Sequence, residues 1–138
     1  MQVPVIQVAL PALSHKEKLR WEYELLGLAP GDHVMSLWRE ELQKQGVLDS
    51  RQLAEQQDGQ TVQVAGLVVV RQRPPTAKGF AFITLEDEFG LVNLIIRPAV
   101  YERNKRVLRN AAILWIQGQL QHEGHALSVL VHGAKSLH

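Results

Sequence analysis

The sequence predicts a mainly β chain, a five-stranded barrel preceded by a small α-helical N-terminal segment. Three observations carry that expectation. Five short apolar runs of strand type fill the second half of the chain. One helix-compatible stretch, opened by Pro98, interrupts them after the third run. Ahead of them, apolar residues recur at helical spacing behind capping residues. The turn signal Asp58-Gly59 separates the two patterns, giving a helical segment over residues 1–59 and a barrel domain over residues 60–138.

The helical segment starts at Ser14, which stands three residues before Glu17 in the spacing of a capping box. The predicted helix runs from about Lys16 to Leu26. Leu19, Tyr23 and Leu26 form its stripe, Trp21 and Leu25 widen it, and Gly27 ends it. After the turn Ala29-Pro30-Gly31, Asp32 can cap a second helix carrying Val34, Leu37, Trp38 and Leu42 and ending near Gly46. Asp49 or Ser50 can open a short third helix through Leu53. His15 and His33 stand alone, so both read as surface or capping residues rather than metal ligands.

The first strand is expected over Val62–Arg73. It is apolar on both parities around Leu67 to Val70, as in a strand that curves through two sheets, and Gly66 can permit the bend. Phe80–Leu85 and Leu91–Ile96 follow as a hairpin around Asp87-Glu88-Phe89-Gly90. Pro98–Arg109 forms a short helix, with proline at a tolerated first-turn position. Ala111–Leu120 and His125–Val131 make a second hairpin around Gln121-His122-Glu123-Gly124. Three strands, a helix and two strands is the order of an OB-fold, a barrel that recurrently binds oligonucleotides.

Composition narrows the function classes. With no cysteine, the 138-residue chain has no disulfide, thiolate metal ligand or thiol nucleophile. The N-terminus lacks the basic start of a secretion signal, and no apolar run reaches membrane-spanning length, so a cytoplasmic location without a membrane partner is expected. The net charge of +1 conceals an asymmetry. Residues 1–59 hold six lysines and arginines against nine carboxylates, and residues 60–138 hold nine against five. The barrel is therefore the half suited to a polyanion.

Strand alternation assigns faces. If Val92, Leu94 and Ile96 point into the barrel, Asn93, Ile95 and Arg97 point out. On the preceding strand Ala81, Ile83 and Leu85 are interior, leaving Phe80, Phe82 and Thr84 outside. The outer side of strands two and three is the usual OB ligand face. The candidate nucleic-acid-binding set is therefore Arg71, Arg73, Lys78, Phe80, Phe82, Asn93 and Arg97, with the first three arriving from the loop between strands one and two. Cations neutralise phosphates and phenylalanines stack bases, two forces that tolerate any sequence. Either ring can instead cover core at a barrel edge.

Other features point elsewhere. Arg103, Lys105, Arg106 and Arg109 read as a solvated face of the helix that plugs the barrel end. Trp115 is expected on the outside of strand four, packed on the helical unit. Glu86-Asp87-Glu88 reads as a set of solvated turn carboxylates rather than a metal site. No Walker loop, serine elbow or pair of catalytic carboxylates is present, so no catalytic residue, cofactor or small-molecule substrate is expected.

The segments Ala65-Gly66-Leu67-Val68, Arg71-Gln72-Arg73-Pro74, Thr76-Ala77-Lys78-Gly79 and Leu85-Glu86-Asp87 with Gly90 resemble the C-terminal OB region of the bacterial DNA polymerase III alpha subunit, and more closely its error-prone paralogue. Upstream, Leu10-Pro11-Ala12-Leu13-Ser14, Glu22-Tyr23-Glu24-Leu25-Leu26-Gly27-Leu28 and His33-Val34-Met35 are similar to the helical segment before that domain. The resemblance implies contact with single-stranded template or attachment of the polymerase to accessory factors. It places Arg71, Arg73, Lys78, Phe80 and Phe82 at the DNA. Gln7-Val8-Ala9-Leu10-Pro11 sits near the family's clamp-binding peptide but lacks its terminal aromatic residue. The family's palm, fingers and phosphoesterase-like domain are missing from a chain of this length, so polymerase activity is not expected.

The expected function is single-stranded DNA binding in replicative or error-prone synthesis, largely independent of sequence. A protein-interaction module of a polymerase assembly, and an RNA- or tRNA-binding OB domain, are the alternatives.

Overall fold

The computed structural model describes residues 33–137. The helix expected from Lys16 to Leu26, the Asp32 cap and the Gln7–Pro11 segment lie outside them. Strands β1 (Thr61–Gln72), β2 (Ala81–Glu86), β3 (Leu91–Ile96), β4 (Ile113–Glu123) and β5 (Ala126–Ser136) close a barrel in the order β1-β2-β3-β5-β4. Neighbours are antiparallel except β3 and β5, which pair parallel through Leu94↔Val129 and Ile95↔Leu130. This is the expected mainly β OB-fold barrel with short helices before it.

The helix stretch after β3 is broken at Asn104 into α3 (Pro98–Arg103) and α4 (Lys105–Asn110). Val100, Tyr101 and Leu108 from these helices join the apolar barrel interior with Val64, Ile83, Leu94, Ile116 and Val129. β4 and β5 run beyond their expected ends, because the pairing continues from Leu114↔Ser136 to Glu123↔Ala126 around a two-residue turn at Gly124. Residues such as His132, Gly133 and Lys135 carry little strand signal of their own, and the ladder extends through them. Gly118 marks an irregularity in that ladder, and a Cβ there would stand 2.3 Å from the Leu130 carbonyl oxygen.

The both-parity apolar pattern of β1 has two causes. The strand does pass between partners, pairing β4 through Leu67 and β2 from Leu67 onward. In addition, its outward residues Ala65 and Leu67 are covered. They form a second core with Ile113, Trp115 and residues Val34, Met35, Trp38, Leu42 and Val47 of the helical segment. That segment is a 3₁₀ turn, Val34–Leu37, then α1 (Arg39–Lys44) and α2 (Ser50–Leu53). Asp49 caps α2 in a full capping box with Gln52. His33 caps the 3₁₀ turn: its Nδ1 accepts from the Met35 amide at 3.1 Å, which leaves the proton on Nε2 to donate to Glu86 at 2.9 Å.

The three turn carboxylates hold the helical segment to the barrel: Asp87 and Glu88 are withdrawn from solvent, whereas Glu86 keeps a partly exposed side chain. Asp87, 4% exposed, accepts from the Ser50 amide at 2.6 Å and hydroxyl at 2.7 Å, and from the Phe89 and Gly90 amides at 2.9 and 3.0 Å. Glu88 takes a two-point contact from Arg39 at 2.9 and 2.7 Å. Arg51 lies over the Phe89 ring, 3.3 Å from its centroid. Trp115 packs on the helical segment, with its Nε1 donating to Gln63 at 3.0 Å.

Candidate nucleic-acid interface

The outer side of β2 and β3 follows from alternation. Ala81, Ile83, Leu85, Val92, Leu94 and Ile96 are buried inside, so Phe82, Thr84, Asn93 and Ile95 face out. The register lines them into rows that cross the sheet. One row is Gln72, Phe82, Ile95 and Leu130 from β1, β2, β3 and β5. The next is Val70, Thr84 and Asn93, with the Thr84 hydroxyl donating to the Asn93 side-chain oxygen at 3.3 Å. That contact orients the Asn93 amide and leaves its two N–H donors for another group. The surface is apolar along one row and hydrogen-bonding along the next.

Lys78 and Arg97 lie toward one corner of this face. Pro75–Ala77 forms a 3₁₀ turn in the β1–β2 loop, and Lys78 closes it in the left-handed region at φ 53°. Gly79 follows at φ 87°, and its backbone lies so close to Pro98 that a Cβ would stand 3.2 Å from the ring. The loop is thereby pinned to the start of α3, beside Arg97. Continuing the β2–β3 register sets the half-buried Phe80 opposite Arg97. Phe80, Phe82, Asn93 and Arg97 share the outer side of β2 and β3 by register, and Lys78 stands in the loop that leads into β2.

Arg71 and Arg73 are placed apart from that group. The β1–β2 register slips between Val68 and Val70, so Arg71 pairs with the inward residue Ile83 and turns under the barrel end. Its Nε donates to the Leu108 carbonyl at 2.8 Å, and a second nitrogen donates to the Ala111 carbonyl. Burial pushes its guanidinium pKa down, although arginine stays charged. Arg73 stacks on Tyr101 at 4.0 Å and pairs with Glu102 at 3.4 Å. Both arginines anchor the helices that close the barrel. Gln72, Val70 and Leu130 belong to the outer face and were not among the expected residues. The first two required knowledge of the register slip, and Leu130 required the β3–β5 pairing.

Burial also pushes the carboxyls of Glu88 and Asp49 up, but their donors win. The hydrogen bond from Arg39 holds Glu88 below its ordinary value, and the Gln52 amide with Arg51 does the same for Asp49.

A protein-family model described as an OB-fold nucleic acid binding domain matches residues 62–137, more than half of the sequence. The chain belongs to that family. It is 44% identical over 123 residues to an error-prone DNA polymerase of Pseudomonas aeruginosa, covering 89% of this chain and 12% of that protein. It is 40% identical over 134 residues to the error-prone DNA polymerase of Anaeromyxobacter sp. strain K, covering 97% of this chain and 12% of that protein. The chain thus spans 12% of the length of these relatives. The resemblance read from the sequence is to the same polymerases. Among solved structures, the asparaginyl-tRNA synthetase of Pyrococcus horikoshii matches with a TM-score of 0.54 at 18% identity, over 64% of this chain and 22% of that one. That likeness is one of fold.

Proposed function

We propose that this chain is a non-catalytic, single-stranded DNA-binding module acting in replicative or error-prone DNA synthesis in the cytoplasm. The observation that carries the reading is the row Gln72, Phe82, Ile95 and Leu130 beside Thr84 and Asn93. Bases stack on Phe82 and on apolar neighbours, the Asn93 amide donates to a base edge or phosphate, and Lys78 and Arg97 neutralise the backbone at the corner. Stacking holds any base, so binding is largely independent of sequence. The partition of the barrel surface supports this: the opposite outer side, around Ala65, Leu67 and Ile113, is occupied by the helical segment. Error-prone polymerases among the relatives supply the context of DNA synthesis.

The test is fluorescence anisotropy of a labelled mixed-sequence single strand at several salt concentrations, with duplex DNA and RNA of matched sequence as competitors. Preferential, salt-dependent capture of the single strand of DNA supports the reading. Equal or better competition by RNA assigns the face to RNA, and absence of binding at low salt removes it. A second reading, docking of a protein partner, draws on the exposed apolar residues Leu91 (61%), Phe89 (43%) and Val70 (42%) at the hairpin end of the same face. Salt-insensitive capture of a polymerase component would favour it.

A further inference from the structure

The closed end of the barrel holds a cavity that borders the outer face at Gln72 and contains none of that face's other residues. It lies between the end of β1 and the helices α3 and α4, with a volume of about 260 Å³. Ala81, Ile83 and Leu108 form its apolar floor, and Arg71, Arg73 and Arg109 stand around it. Such a combination of apolar lining and guanidinium groups suits a ring carrying an anion.

Among the described residues the charges around this cavity are not balanced. Arg71 is held by the carbonyls of Leu108 and Ala111, which take two of its five N–H groups and do not cancel its charge. Arg73 has one carboxylate partner, Glu102, and Glu102 is also 4.0 Å from Lys105. Arg109 is exposed, and its side chain has no hydrogen bond or ion pair among the described residues. Three cations thus face one shared carboxylate, leaving about two positive charges at the mouth. A phosphate monoester carries close to two negative charges near neutral pH, whereas a diester within a strand carries one. The Arg73 guanidinium is stacked on Tyr101 at 4.0 Å and its side chain is still 38% exposed, which leaves room for a second ring to approach it.

We propose that this cavity binds a phosphate monoester attached to a nucleobase-bearing sugar, presented either by a free mononucleotide or by the phosphorylated end of a strand. The ring lies on the apolar floor beside Arg73, and the phosphate meets Arg109 and the open edge of Arg71. The site shares Gln72 with the outer row but none of Phe82, Thr84, Asn93 and Ile95, and it stands whether or not a strand binds there.

The experiment is isothermal titration of the full chain at low salt with adenosine 5′-monophosphate, adenosine, inorganic phosphate and a glutamate-rich peptide. Parallel titrations use thymidine oligomers of one length ending in a 5′-phosphate or a 5′-hydroxyl. The monophosphate is expected to bind more tightly than adenosine or inorganic phosphate, and Arg109→Gln is expected to weaken it about tenfold. Arg109 has no side-chain partner to lose among the described residues, so the variant is expected to keep its fold, which circular dichroism checks; Arg73→Gln provides a second variant. A tighter 5′-phosphorylated oligomer identifies the strand end as the source, and equal oligomers identify the free nucleotide. No monophosphate binding overturns the proposal, as does binding indifferent to both variants. Capture of the acidic peptide without the monophosphate also overturns it and assigns the cavity to a protein partner.

Discussion

Replacing Asp87 with asparagine should detach the helical segment from the barrel, at a cost the hydrogen bonds allow to be worked out. Three donors converge on one carboxylate oxygen, the Ser50 hydroxyl and the Phe89 and Gly90 amides, and the Ser50 amide meets the other at 2.6 Å. An asparagine can present its oxygen to only one of these positions. In the better orientation its NH₂ faces the Ser50 N–H, donor against donor. One charge-assisted bond is lost, at about 2 kcal/mol, and three become neutral, at a few tenths each. The attraction to Arg39, 3.9 Å away, is lost as well. The sum is about 3 kcal/mol, which lowers the melting temperature of a chain this size by about 10 °C. Thermal unfolding by circular dichroism measures it, and tryptophan fluorescence, to which Trp38 and Trp115 of the second core contribute, follows that core. Ser50→Ala, which removes one bond, should cost about a third as much. A melting temperature for Asp87→Asn within about 2 °C of the parent would refute the clamp.

Further outcomes follow from the same contacts. Phe82→Ala should weaken single-stranded DNA binding by about 5- to 150-fold without altering its salt slope, whereas Lys78→Gln with Arg97→Gln should flatten that slope; anisotropy against salt separates the two. Gly118→Ala should destabilise the barrel by about 3 kcal/mol, because its Cβ would meet the Leu130 carbonyl at 2.3 Å, and chemical denaturation measures this. Glu88 and Asp49 have folded-state pKa values below their ordinary ones, so their contribution is present above the unfolded values and is lost as pH falls through the folded ones. Urea midpoints should therefore hold from pH 7 to about 5 and drop below about 4, with Glu88→Gln blunting the drop.

The barrel was legible because its evidence is local. Alternation in Ala81–Glu86 and Leu91–Ile96 is clean, and it assigned Phe82 and Asn93 to the outside without knowledge of any partner. Arg71 shows where such reading stops. One register slip near Val69 reverses every later side chain of β1, and nothing in a run of valines marks which residue is the extra one. The acidic turn was misleading for a related reason. Glu86, Asp87 and Glu88 look like solvated turn residues until the helical segment, distant in sequence, brings Ser50, His33 and Arg39 against them. Leu130 reaches the candidate face only through the parallel pairing of β5 with β3, a contact between strands separated by two helices and a strand.

The central claim is that a single strand lies across the outer face of β2 and β3. Amide chemical-shift mapping of the ¹⁵N-labelled chain during titration with a thymidine oligomer tests it most directly. The largest shifts are expected at Gln72, Lys78 to Thr84, Asn93 to Arg97 and Leu130, while Ala65, Ile113 and Trp115 stay unmoved. Shifts concentrated around the helical segment, or none at saturating oligomer, would contradict it.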